Sequence, residues 1–574
     1  MRLDTGCLLF LMSWYFLPAQ SQFYMATLNE NASLEVHEME GDVPFMKKRN
    51  SEIRMMEGFP RAFSADPAFK NFRNLTLSDL DENGSDEIIA GINNRIYVMD
   101  SDSIWWSNAV KGIIRFPASV GDLDGNDILD IVVLSGYVGN EGGVYAFDRS
   151  GALLEGWPAM QTKNWMLSSA ALADLDNDGY LEVICADREG NSGQVYAFRY
   201  DGTLAKGDWP VQLPNTPAVT PSVGDVDRDG FKEVVICSTQ EIFLFDYMGK
   251  DFPSWPVRLE GTRFSYQSPI LVDLDNDGSL EIIGAGHGDN PVFYALTANG
   301  SHVPSWPKQV PGGAWTFCPP TVVPASGGYH ILAGRPIGTN VEDMLYGWDE
   351  MGNSLAHFPL MKAGGVEGII AIANVDSDED LEMVFPSNLL TADGRGFIHA
   401  YKFDGSGEIP GFPLLVRGWT FLNGACVGDV NGDGQADLAV LSYTEHPGHM
   451  EDTIFISVFE LQIPFVKEHN LWTTYKGNNT RDGFAGAPIS TSAQLSTSKD
   501  IFLYPNPVND KLYISSGFVH DCQLLIYDFT GKKVFTSGIR RGVQTVNISG
   551  LGAGLYFYSL RYNREVYSGK LVKI

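Results

Sequence analysis

The chain has 574 residues, of which 19% are charged and 44% hydrophobic, and it contains 61 glycines and 30 prolines. This composition is typical of a folded protein of two or more domains, or of a repeat array, with short strands and many turns. The formal net charge of -31 argues against a nucleic-acid partner, because neutralising phosphates requires clustered lysine and arginine, and it favours the binding of cations.

The N-terminus has the features of a secretory signal peptide. Arg2 precedes an apolar run from Cys7 to Leu17, and the small residues Ala19 and Ser21 frame a cleavage site. We therefore expect a signal peptide over residues 1–21 and an N-terminal extension over residues 22–57. No later stretch approaches about 18 consecutive apolar residues, so the sequence predicts no membrane span.

Five cysteines follow this segment in apolar contexts and in no metal-ligand spacing. We predict that they are buried, unpaired thiols. They are Cys185, Cys237, Cys318, Cys426 and Cys522.

A short pattern dominates the chain: an apolar run, a turn rich in aspartate, and a second apolar run, as in ALADLDNDGYLEVICAD from Ala171. Seven copies have their first acidic position at residues 79, 122, 174, 225, 273, 374 and 429. The stretch PPTVVPASGGYHILAG from Pro319 falls in the one long interval, with Pro324 at the first acidic position and no carboxylate. The array therefore has eight units, and we name the acidic turns by their units as loops 1 to 5, 7 and 8.

Each unit predicts four short strands. Two flank the loop, a third apolar segment such as VYAF follows, and an aromatic-proline pair such as Trp157-Pro158 marks an outer strand, where a missing backbone donor is tolerated. Units of about 50 residues with four strands are typical of β-propeller blades. We expect an all-β, eight-bladed β-propeller over residues 58–485, with seven blades as the alternative. The segment at Phe59 is expected to supply the outer strand of the last blade and so close the ring.

In register, the loop reads DxDxDGxxE/D, with oxygen side chains at positions 1, 3, 5 and 9. Ca²⁺ takes six to eight oxygens at about 2.3 to 2.6 Å, and alternate residues of a tight turn, with a backbone carbonyl at position 7, can converge on one ion. An EF-hand is rejected because position 12 lies inside a strand. The sequence predicts about seven Ca²⁺ sites. Their ligands are Asp79, Asp81, Asn83 and Glu87; Asp122, Asp124, Asn126 and Asp130; Asp174, Asp176, Asp178 and Glu182; Asp225, Asp227, Asp229 and Glu233; Asp273, Asp275, Asp277 and Glu281; Asn374, Asp376, Asp378 and Glu382; and Asp429, Asn431, Asp433 and Asp437.

Position 6 is usually glycine, which supplies the turn conformation that other residues resist. Loops 2 and 7 carry Asp127 and Glu379 there, and we expect weaker sites in them. The alternative interpretation is that the loops are solvated Asp/Asn turns without a metal.

These loops and the apolar strands around them resemble FG-GAP/VCBS repeats, the family that includes the propeller of integrin α-subunits, over roughly residues 58 to 461. The resemblance implies that the Ca²⁺ ions are structural staples on the blades and not catalytic metals. The predicted absence of a membrane span argues against an integrin, and so does the C-terminal tail.

That tail begins with a Ser/Thr-rich stretch, which predicts a linker over residues 486–499. Residues 500–574 alternate apolar and polar side chains in the segments KLYISS, QLLIYD, KKVFTS, LYFYSL and SGKLVKI, which predicts a small β-sandwich. The motif YPNP from Tyr504, the segment LLIYDFTGKKV, the triplet GLY from Gly554 and the terminal KLVKI resemble the C-terminal sorting domain of type IX secretion substrates in Bacteroidota. The resemblance implies interaction with the type IX machinery, export across the outer membrane, and a secreted or cell-surface protein. A carbohydrate-binding sandwich is the alternative.

For function, the leading hypothesis is a non-catalytic binding or adhesion protein that recognises a glycan or a protein, because the sequence shows no Ser/His/Asp ordering, zinc motif or Gly-rich phosphate loop. The competing hypothesis is a polysaccharide lyase or hydrolase, since rhamnogalacturonan lyases also use a Ca²⁺-bearing propeller. Its best local candidate is TEHPGHMED, with Glu445, His446, His449 and Glu451. A structural role in a surface layer or matrix is the third hypothesis.

Overall fold

The computed structural model describes residues 22–28, 34–40, 53–66, 71–136, 141–313, 316–325, 328–336, 341–378, 380–444, 452–467, 470–486, 501–504, 508, 511–516, 522–527, 532–539, 542–552, 554–562 and 565–573. The chain forms two compact units, Met1–Ser490 and Thr491–Ile574. Among the described residues the regular elements are β-strands, apart from one 3₁₀ turn at Pro311–Gly313. The described part of the chain contains no helix with the length and apolar character needed to span a membrane.

The first unit consists of short strands. In chain order they are β1 (Gln22–Leu28), β2 (Leu34–Glu40), β3 (Arg54–Met55), β4 (Arg61–Ala65), β5 (Thr76–Ser78), β6 (Glu87–Ile92), β7 (Arg95–Met99), β8 (Ile104–Ala109), β9 (Ser119–Gly121), β10 (Asp130–Ser135), β11 (Gly142–Phe147), β12 (Met160–Thr162), β13 (Ala171–Ala173), β14 (Glu182–Glu189), β15 (Ser192–Phe198), β16 (Val211–Leu213), β17 (Ser222–Gly224), β18 (Glu233–Cys237), β19 (Ile242–Phe245), β20 (Thr262–Arg263), β21 (Ile270–Val272), β22 (Glu281–Gly288), β23 (Val292–Leu296), β24 (Lys308–Gln309), β25 (Thr321–Ala325), β26 (Gly328–Gly334), β27 (Glu342–Trp348), β28 (Leu360–Lys362), β29 (Ala371–Ala373), β30 (Glu382–Thr391), β31 (Arg395–Lys402), β32 (Leu414–Arg417), β33 (Cys426–Gly428), β34 (Gln435–Tyr443) and β35 (Asp452–Pro464).

These strands form eight antiparallel sheets, which correspond to the eight predicted units. Sheets 1, 2 and 3 contain β5 to β8, β9 to β12 and β13 to β16, and sheets 4, 5 and 6 contain β17 to β19, β20 to β24 and β25 to β28. Sheet 7 joins β29 to β32 with β1 and β2, and sheet 8 joins β33 to β35 with β3 and β4. In each sheet one short strand leads into the loop position, and the next strand leaves it. We call these the first and second strands of the sheet. The first strands are β5, β9, β13, β17, β21, β25, β29 and β33.

The second strands are buried on both faces, as continuous apolar runs predict. In β14, for example, Val183, Ile184 and Cys185 are all inaccessible to solvent. The apolar clusters lie between neighbouring sheets: one of them combines Ile184 of sheet 3 with Val235 of sheet 4 and Ile282 of sheet 5. The hydrophobic core is therefore shared between sheets.

Successive sheets are joined at their first strands by hydrogen bonds, and sheet 8 is joined in the same way to sheet 1. In sheet order, the donors and acceptors are Thr76 Oγ1 to Ala118 O (2.8 Å), Ser119 Oγ to Ala170 O (2.7 Å), Ser169 N to Thr220 Oγ1 (3.0 Å), Ser222 Oγ to Pro269 O (2.6 Å), Gln267 Nε2 to Thr316 O, Thr321 Oγ1 to Ile370 O (2.9 Å), Ile369 N to Asn423 O (2.8 Å) and Cys426 Sγ to Leu75 O (3.3 Å). The sheets thus form a cyclic series.

The N-terminal segment pairs with the last sheet. In β4, Phe63 lies opposite Ile454 of β35, and β3 pairs with the same strand through Met55 and Phe459. This pairing confirms the prediction that the segment at Phe59 supplies the outer strand of the last unit. The predicted N-terminal extension also contributes β1, in which Met25 lies opposite Leu389 of β30 in sheet 7.

The outer strands differ slightly from the prediction, which placed them at the aromatic-proline pairs. In sheet 2 the strand β12 begins at Met160, after Pro158, because proline cannot donate to the ladder. The indole N–H of Trp157 instead donates to the Tyr200 carbonyl at 2.8 Å, so Trp157-Pro158 fixes the chain just before β12. Sheet 4 has three strands where four were predicted, and Val257 makes only an isolated bridge to Ile242.

Residues 470–486, which we call the axial segment, bind all eight sheets. Its carbonyls accept the backbone N–H of the middle residue in six first strands: Val120, Leu172, Val223, Leu271, Ile372 and Val427. Asn479 Nδ2 donates to Leu77 O of sheet 1 at 2.7 Å, and Tyr329 OH of sheet 6 donates to Gly486 O at 2.8 Å. Each first strand is the inner edge of its sheet, so the segment satisfies donors that would otherwise have no strand partner.

Arg73 lies among the inner edges of the sheets as well, at the N-terminal ends of the first strands. Its guanidinium is inaccessible to solvent and donates to the carbonyls of Glu367 (2.6 Å), Tyr266 (2.8 Å) and Phe317. These acceptors precede the first strands of sheets 7, 5 and 6, whereas Arg73 precedes that of sheet 1. The side chain therefore crosses the middle of the cyclic series.

The second unit has seven strands in two antiparallel sheets, in the order β36-β37-β40 and β39-β38-β41-β42. A small apolar core includes Val508, Leu512, Leu524 and Leu571. Two sheets agree with the predicted sandwich, and β36 and β40 are strands that the sequence analysis did not identify. The strands are β36 (Ile501–Tyr504), β37 (Lys511–Ser516), β38 (Cys522–Tyr527), β39 (Lys533–Ile539), β40 (Gly542–Asn547), β41 (Gly554–Tyr562) and β42 (Glu565–Lys573).

Candidate metal centres

The strand register brings positions 1 and 9 of each acidic loop together. In sheet 3, Ala173 ends β13 and lies opposite Glu182, which opens β14, so Asp174 and Glu182 stand at the same end of the strand pair. The same register occurs in every sheet that has an acidic loop. The opposed residues are Ser78 and Glu87, Gly121 and Asp130, Gly224 and Glu233, Val272 and Glu281, Ala373 and Glu382, and Gly428 and Asp437.

The turn is shaped by hydrogen bonds from its own backbone to its side chains. In loop 3, Asp174 accepts the N–H groups of Asp178 and Gly179, both at 3.1 Å. Gly179 has a φ of +91°, a left-handed conformation that favours glycine. In loop 2, Asp127 adopts a φ of +63° at the same position, so the backbone keeps its path there with a residue that is less suited to it.

Position 9 is buried and held by the backbone. Glu182 is only 2% exposed, and its Oε2 accepts the N–H of Leu175 at position 2, at 2.9 Å. All the other acidic loops repeat this bond, at 2.7 to 3.1 Å. Burial, reinforced by the neighbouring carboxylates, raises the pKa to about 7 for Glu87, Asp130, Glu182, Glu281 and Asp437 and to about 8 for Glu233 and Glu382.

Several of these carboxylate oxygens are buried without a hydrogen-bond partner, a costly arrangement for an acceptor. They are Oε1 of Glu87 and Glu382 and Oδ1 of Asp124, Asp176, Asp225 and Asp273. In each of loops 1 to 5, one oxygen from each of three carboxylates lies within 4.8 Å of the others. In four of these the carboxylates come from positions 1, 3 and 9, and in loop 4 from Asp225, Asp227 and Asp229. Converging hard oxygen donors with unused lone pairs fit a cation such as Ca²⁺.

Position 5 plays a second part in the turn. Asn83 Oδ1 accepts the N–H of Ser85 at 2.7 Å, and Asp178 Oδ1 accepts that of Tyr180 at 3.1 Å. The other position-5 side chains make the same bond. The predicted ligands at position 5 therefore also fix the backbone at position 7.

Within the described ranges, four basic side chains that the sequence analysis did not single out form ion pairs with the loops. Their ion pairs are Arg199 with Asp178 (3.0 Å), Lys206 with Asp176 (3.4 Å), Arg228 with Asp277 (2.7 Å) and Lys402 with Asp378 (3.5 Å). Arg228 belongs to loop 4 and reaches loop 5. Arg199 and Lys206 follow β15, and Lys402 is the last residue of β31. Their spacing from the loops varies, so the loop pattern gave no signal for them.

Sheet 6 has no carboxylate at this position. Its strands β25 and β26 continue their pairing up to Ala325 and Gly328, where a two-residue connection replaces the acidic turn. This short connection agrees with the predicted unit that lacks an acidic loop.

The remaining predictions concern the cysteines, position 6 of loop 7 and the candidate Glu/His cluster. Cys185, Cys237, Cys318 and Cys426 are buried and free, as predicted. The side chain of Cys522 lies outside the described residues, as do Glu379 of loop 7 and the candidate cluster Glu445, His446, His449 and Glu451.

Family comparisons agree with both resemblances. Residues 122–185 and 174–236 match the model of the FG-GAP-like repeat, and residues 502–574 match that of the secretion system C-terminal sorting domain. The chain thus carries FG-GAP-like repeats and a type IX sorting domain, which directs export to the cell surface or the extracellular space.

Individual relatives are distant. Integrin alpha-4 of Xenopus laevis is 25% identical over 154 residues, which cover 22% of this chain and 15% of that relative. Among solved structures, the V. cholerae biofilm matrix protein Bap1 has a TM-score of 0.48 at 13% identity, over 78% of this chain and 97% of that chain. The Dos1 propeller has a TM-score of 0.36 at 11% identity, over 71% of this chain and 96% of that chain.

Proposed function

We propose that this exported FG-GAP-repeat protein is an eight-bladed β-propeller stapled by about seven calcium ions, and that it acts as a non-catalytic binding module for a glycan or a protein. The observation that carries the calcium proposal is the repeated group of buried carboxylate oxygens without hydrogen-bond partners. The side chains at positions 1, 3, 5 and 9 would hold the ion.

Electrostatics supports a bound cation over a solvated turn. Glu87 and Glu382 are inaccessible to solvent, yet in each only one carboxylate oxygen accepts a hydrogen bond. Water solvates exposed aspartates, but it cannot reach these groups, and neighbouring carboxylates repel them. A divalent cation would supply the missing partner and cancel the repulsion.

A staple at each loop would also stabilise the joints between sheets. The N–H of Leu181, next to Glu182 of loop 3, donates to Leu123 O of loop 2 at 3.1 Å. In loop 4, Lys232 donates to Leu175 O of loop 3 at 3.2 Å. An ion that fixes one loop therefore also restrains the loop before it, which supports a structural role.

The filled axis favours a binding module over an enzyme with a central active site. Arg73 and the axial segment occupy the middle of the cyclic series, so a ligand would bind at the outer surfaces and loops. A polysaccharide lyase or hydrolase is the alternative function, and its candidate residues, Glu445 to Glu451, lie outside the described part of the chain.

Calcium is tested by elemental analysis and thermal melting of the purified protein. We expect about seven ions per chain and a melting temperature that falls on adding EGTA and returns with excess Ca²⁺ but not with Mg²⁺, which requires tighter octahedral geometry. The metal should be present at millimolar concentration, because extracellular modules bind with Kd of about 10⁻⁴ to 10⁻³ M. An unchanged melting temperature together with no bound calcium would refute the staple.

The binding and enzyme hypotheses are separated by incubating the protein with acidic polysaccharides and following unsaturated products by absorbance. We expect no product. Turnover that disappears in the double variant His446→Ala/His449→Ala, with the calcium content unchanged, would overturn the non-catalytic assignment.

A further inference from the structure

Lys362, His399 and Glu408 form a hydrogen-bonded chain in the joint between sheets 6 and 7. Lys362 belongs to β28 of sheet 6 and His399 to β31 of sheet 7, and Glu408 follows β31. The Nζ of Lys362 lies 2.6 Å from His399 Nε2 and also contacts Nδ1, while His399 Nδ1 lies 2.6 Å from Oε1 of Glu408. Lys362 is 6% exposed and His399 is 1% exposed. The joint therefore contains a buried row of titratable side chains.

The positions of Lys362 and His399 are apolar or aromatic in the three preceding joints. Lys362 is the third residue after the proline of its aromatic-proline pair, and His399 lies opposite Phe385 of β30. By the same spacing and strand register, the corresponding pairs are Leu213 and Phe243 (sheets 3 and 4), Leu259 and Tyr294 (sheets 4 and 5), and Val310 and Tyr346 (sheets 5 and 6). All six side chains are buried, and the two members of each pair belong to one apolar cluster. Two polar exceptions thus meet at one joint, although apolar packing holds the corresponding joints together.

The hydrogen bonds assign the protonation state of His399. A carboxylate only accepts hydrogen bonds, so Glu408 takes the Nδ1 proton of the imidazole, and the Nε2 lone pair is left to accept an N–H of Lys362. The ring must be neutral for this, because an imidazolium has no lone pair and would face the ammonium group. Burial, together with Lys362, lowers the pKa of His399 to about 4. A neutral imidazole is therefore part of the closed joint.

Aromatic rings surround the chain. The ring of His399 lies 5.8 Å from that of Phe385 and 6.1 Å from that of Phe397, measured between centroids. The Nζ of Lys362 lies 5.8 Å from the centroid of the Tyr401 ring. In such surroundings a second positive charge is costly, because little water reaches it.

The charged groups on the neighbouring strands do not compensate a second cation. Glu342 of β27 lies opposite Lys362, but its carboxylate pairs with Arg335 at 3.2 Å. Glu408 is the charged group that acts on Lys362, and Lys362 and Glu408 are those that act on His399. One carboxylate therefore faces both basic side chains.

We infer that the joint between sheets 6 and 7 is acid-sensitive: it is closed at neutral pH and opens as the pH falls toward 5, because His399 gains a proton. The inference does not depend on bound calcium or on the ligand of the proposed binding module. Protonation removes the acceptor of the Lys362 N–H and places two cations side by side. Opening the joint separates them and admits water, whereas the pairs at the three preceding joints contain no group that gains a proton in this range.

The direction and size of the effect follow from His399. Its pKa is about 4 in the closed joint and takes the ordinary value of 6.5 in an open one, so the open state binds more protons and is favoured as the pH falls. Between pH 7.5 and pH 5 these values raise the ratio of open to closed joints by about thirtyfold. Lys362, whose pKa burial lowers to about 7, acts in the same direction.

The test is amide hydrogen exchange of the full chain at pH 7.5 and pH 5 in millimolar calcium, with rates corrected for the intrinsic effect of pH. Mass spectrometry follows peptides from β28 and β31, with peptides from β16 and β19, between sheets 3 and 4, as the internal reference. Lys362→Leu/His399→Tyr restores the residue types of the other joints, and His399→Gln can form both hydrogen bonds but gains no proton. His302→Gln is the matched control, because this histidine is exposed. Melting temperature and calcium content are recorded for each variant at both pH values.

We expect the protection of β28 and β31 to fall at least tenfold at pH 5, while that of β16 and β19 changes less than threefold. The double variant should lose this response, His399→Gln should reduce it at least threefold, and His302→Gln should keep it. Unchanged protection of β28 and β31, an equal loss in β16 and β19, or a full response in His399→Gln would overturn the inference. A response caused by calcium leaving the loops would persist in His399→Gln, and it is recognised by that result and by the calcium content.

Discussion

Removing the axial segment should prevent the first unit from folding cooperatively. Two truncated chains make the comparison: one ends at residue 490 and keeps the segment, and the other ends at residue 469 and lacks it. Both lack the sorting domain, so they differ only in residues 470–490.

The loss of stability in the shorter chain can be calculated from the hydrogen bonds that it lacks. The shorter chain loses the acceptors for six buried first-strand N–H groups, those of Val120, Leu172, Val223, Leu271, Ile372 and Val427. A buried donor left unsatisfied costs about 1 to 3 kcal/mol, so even the lower figure gives about 6 kcal/mol. That is comparable with the whole free energy of unfolding of a typical domain, about 5 to 15 kcal/mol. The loss of buried Tyr475 and Arg481 adds to it.

The stability of the two chains is compared by thermal melting, followed by circular dichroism, and by limited proteolysis as a second probe. The chain ending at residue 490 should melt cooperatively and resist protease, and the chain ending at residue 469 should do neither. If the shorter chain melted cooperatively within about 3 °C of the longer one, a shift worth roughly 1 kcal/mol, the axial segment would not hold the sheets together.

Three further predictions concern other buried groups. Burial lowers the pKa of Lys362 to about 7, so between about pH 7 and pH 10 the unfolded chain binds more protons than the folded chain, and the free energy of unfolding rises with pH. Lys362→Met should therefore raise the melting temperature at pH 7 and reduce its rise with pH, whereas the exposed control Lys250→Met should do neither. A melting temperature with the same pH dependence in Lys362→Met would contradict this. Phe23 of β1 packs on Leu389 and Phe397, so Phe23→Ala should destabilise the protein by about 3 kcal/mol in denaturant unfolding, and a loss no larger than that of the exposed control Val36→Ala would show that β1 is not docked. Burial raises the pKa of the four described thiols, so iodoacetamide at pH 8 should label them, as seen by mass spectrometry, only after unfolding; labelling of the native protein would show that they are accessible. They are Cys185, Cys237, Cys318 and Cys426.

The loops could be predicted closely because their chemistry is local. Positions 1, 3, 5 and 9 are linked by a tight turn, and the register that opposes Ala173 and Glu182 follows from the apolar runs on either side. The burial of position 9 also follows from its place at the start of a fully buried strand. What the pattern could not supply was Lys402 beside Asp378 or the amide contacts of Asn374, since both depend on the particular side chains around one loop.

The sequence by itself determined the repeating unit, the unit that lacks carboxylates, and the sorting domain, because each depends on residues that are neighbours along the chain. Only the tertiary structure decided how the middle of the molecule is filled and where a cleft opens. The Arg73 guanidinium meets the Glu367 carbonyl across the cyclic series, Arg481 donates to Thr76, and the end of β35 faces loop 7. These contacts join residues tens to hundreds of positions apart, and they arise from the packing of separate sheets against one another, which no local pattern encodes.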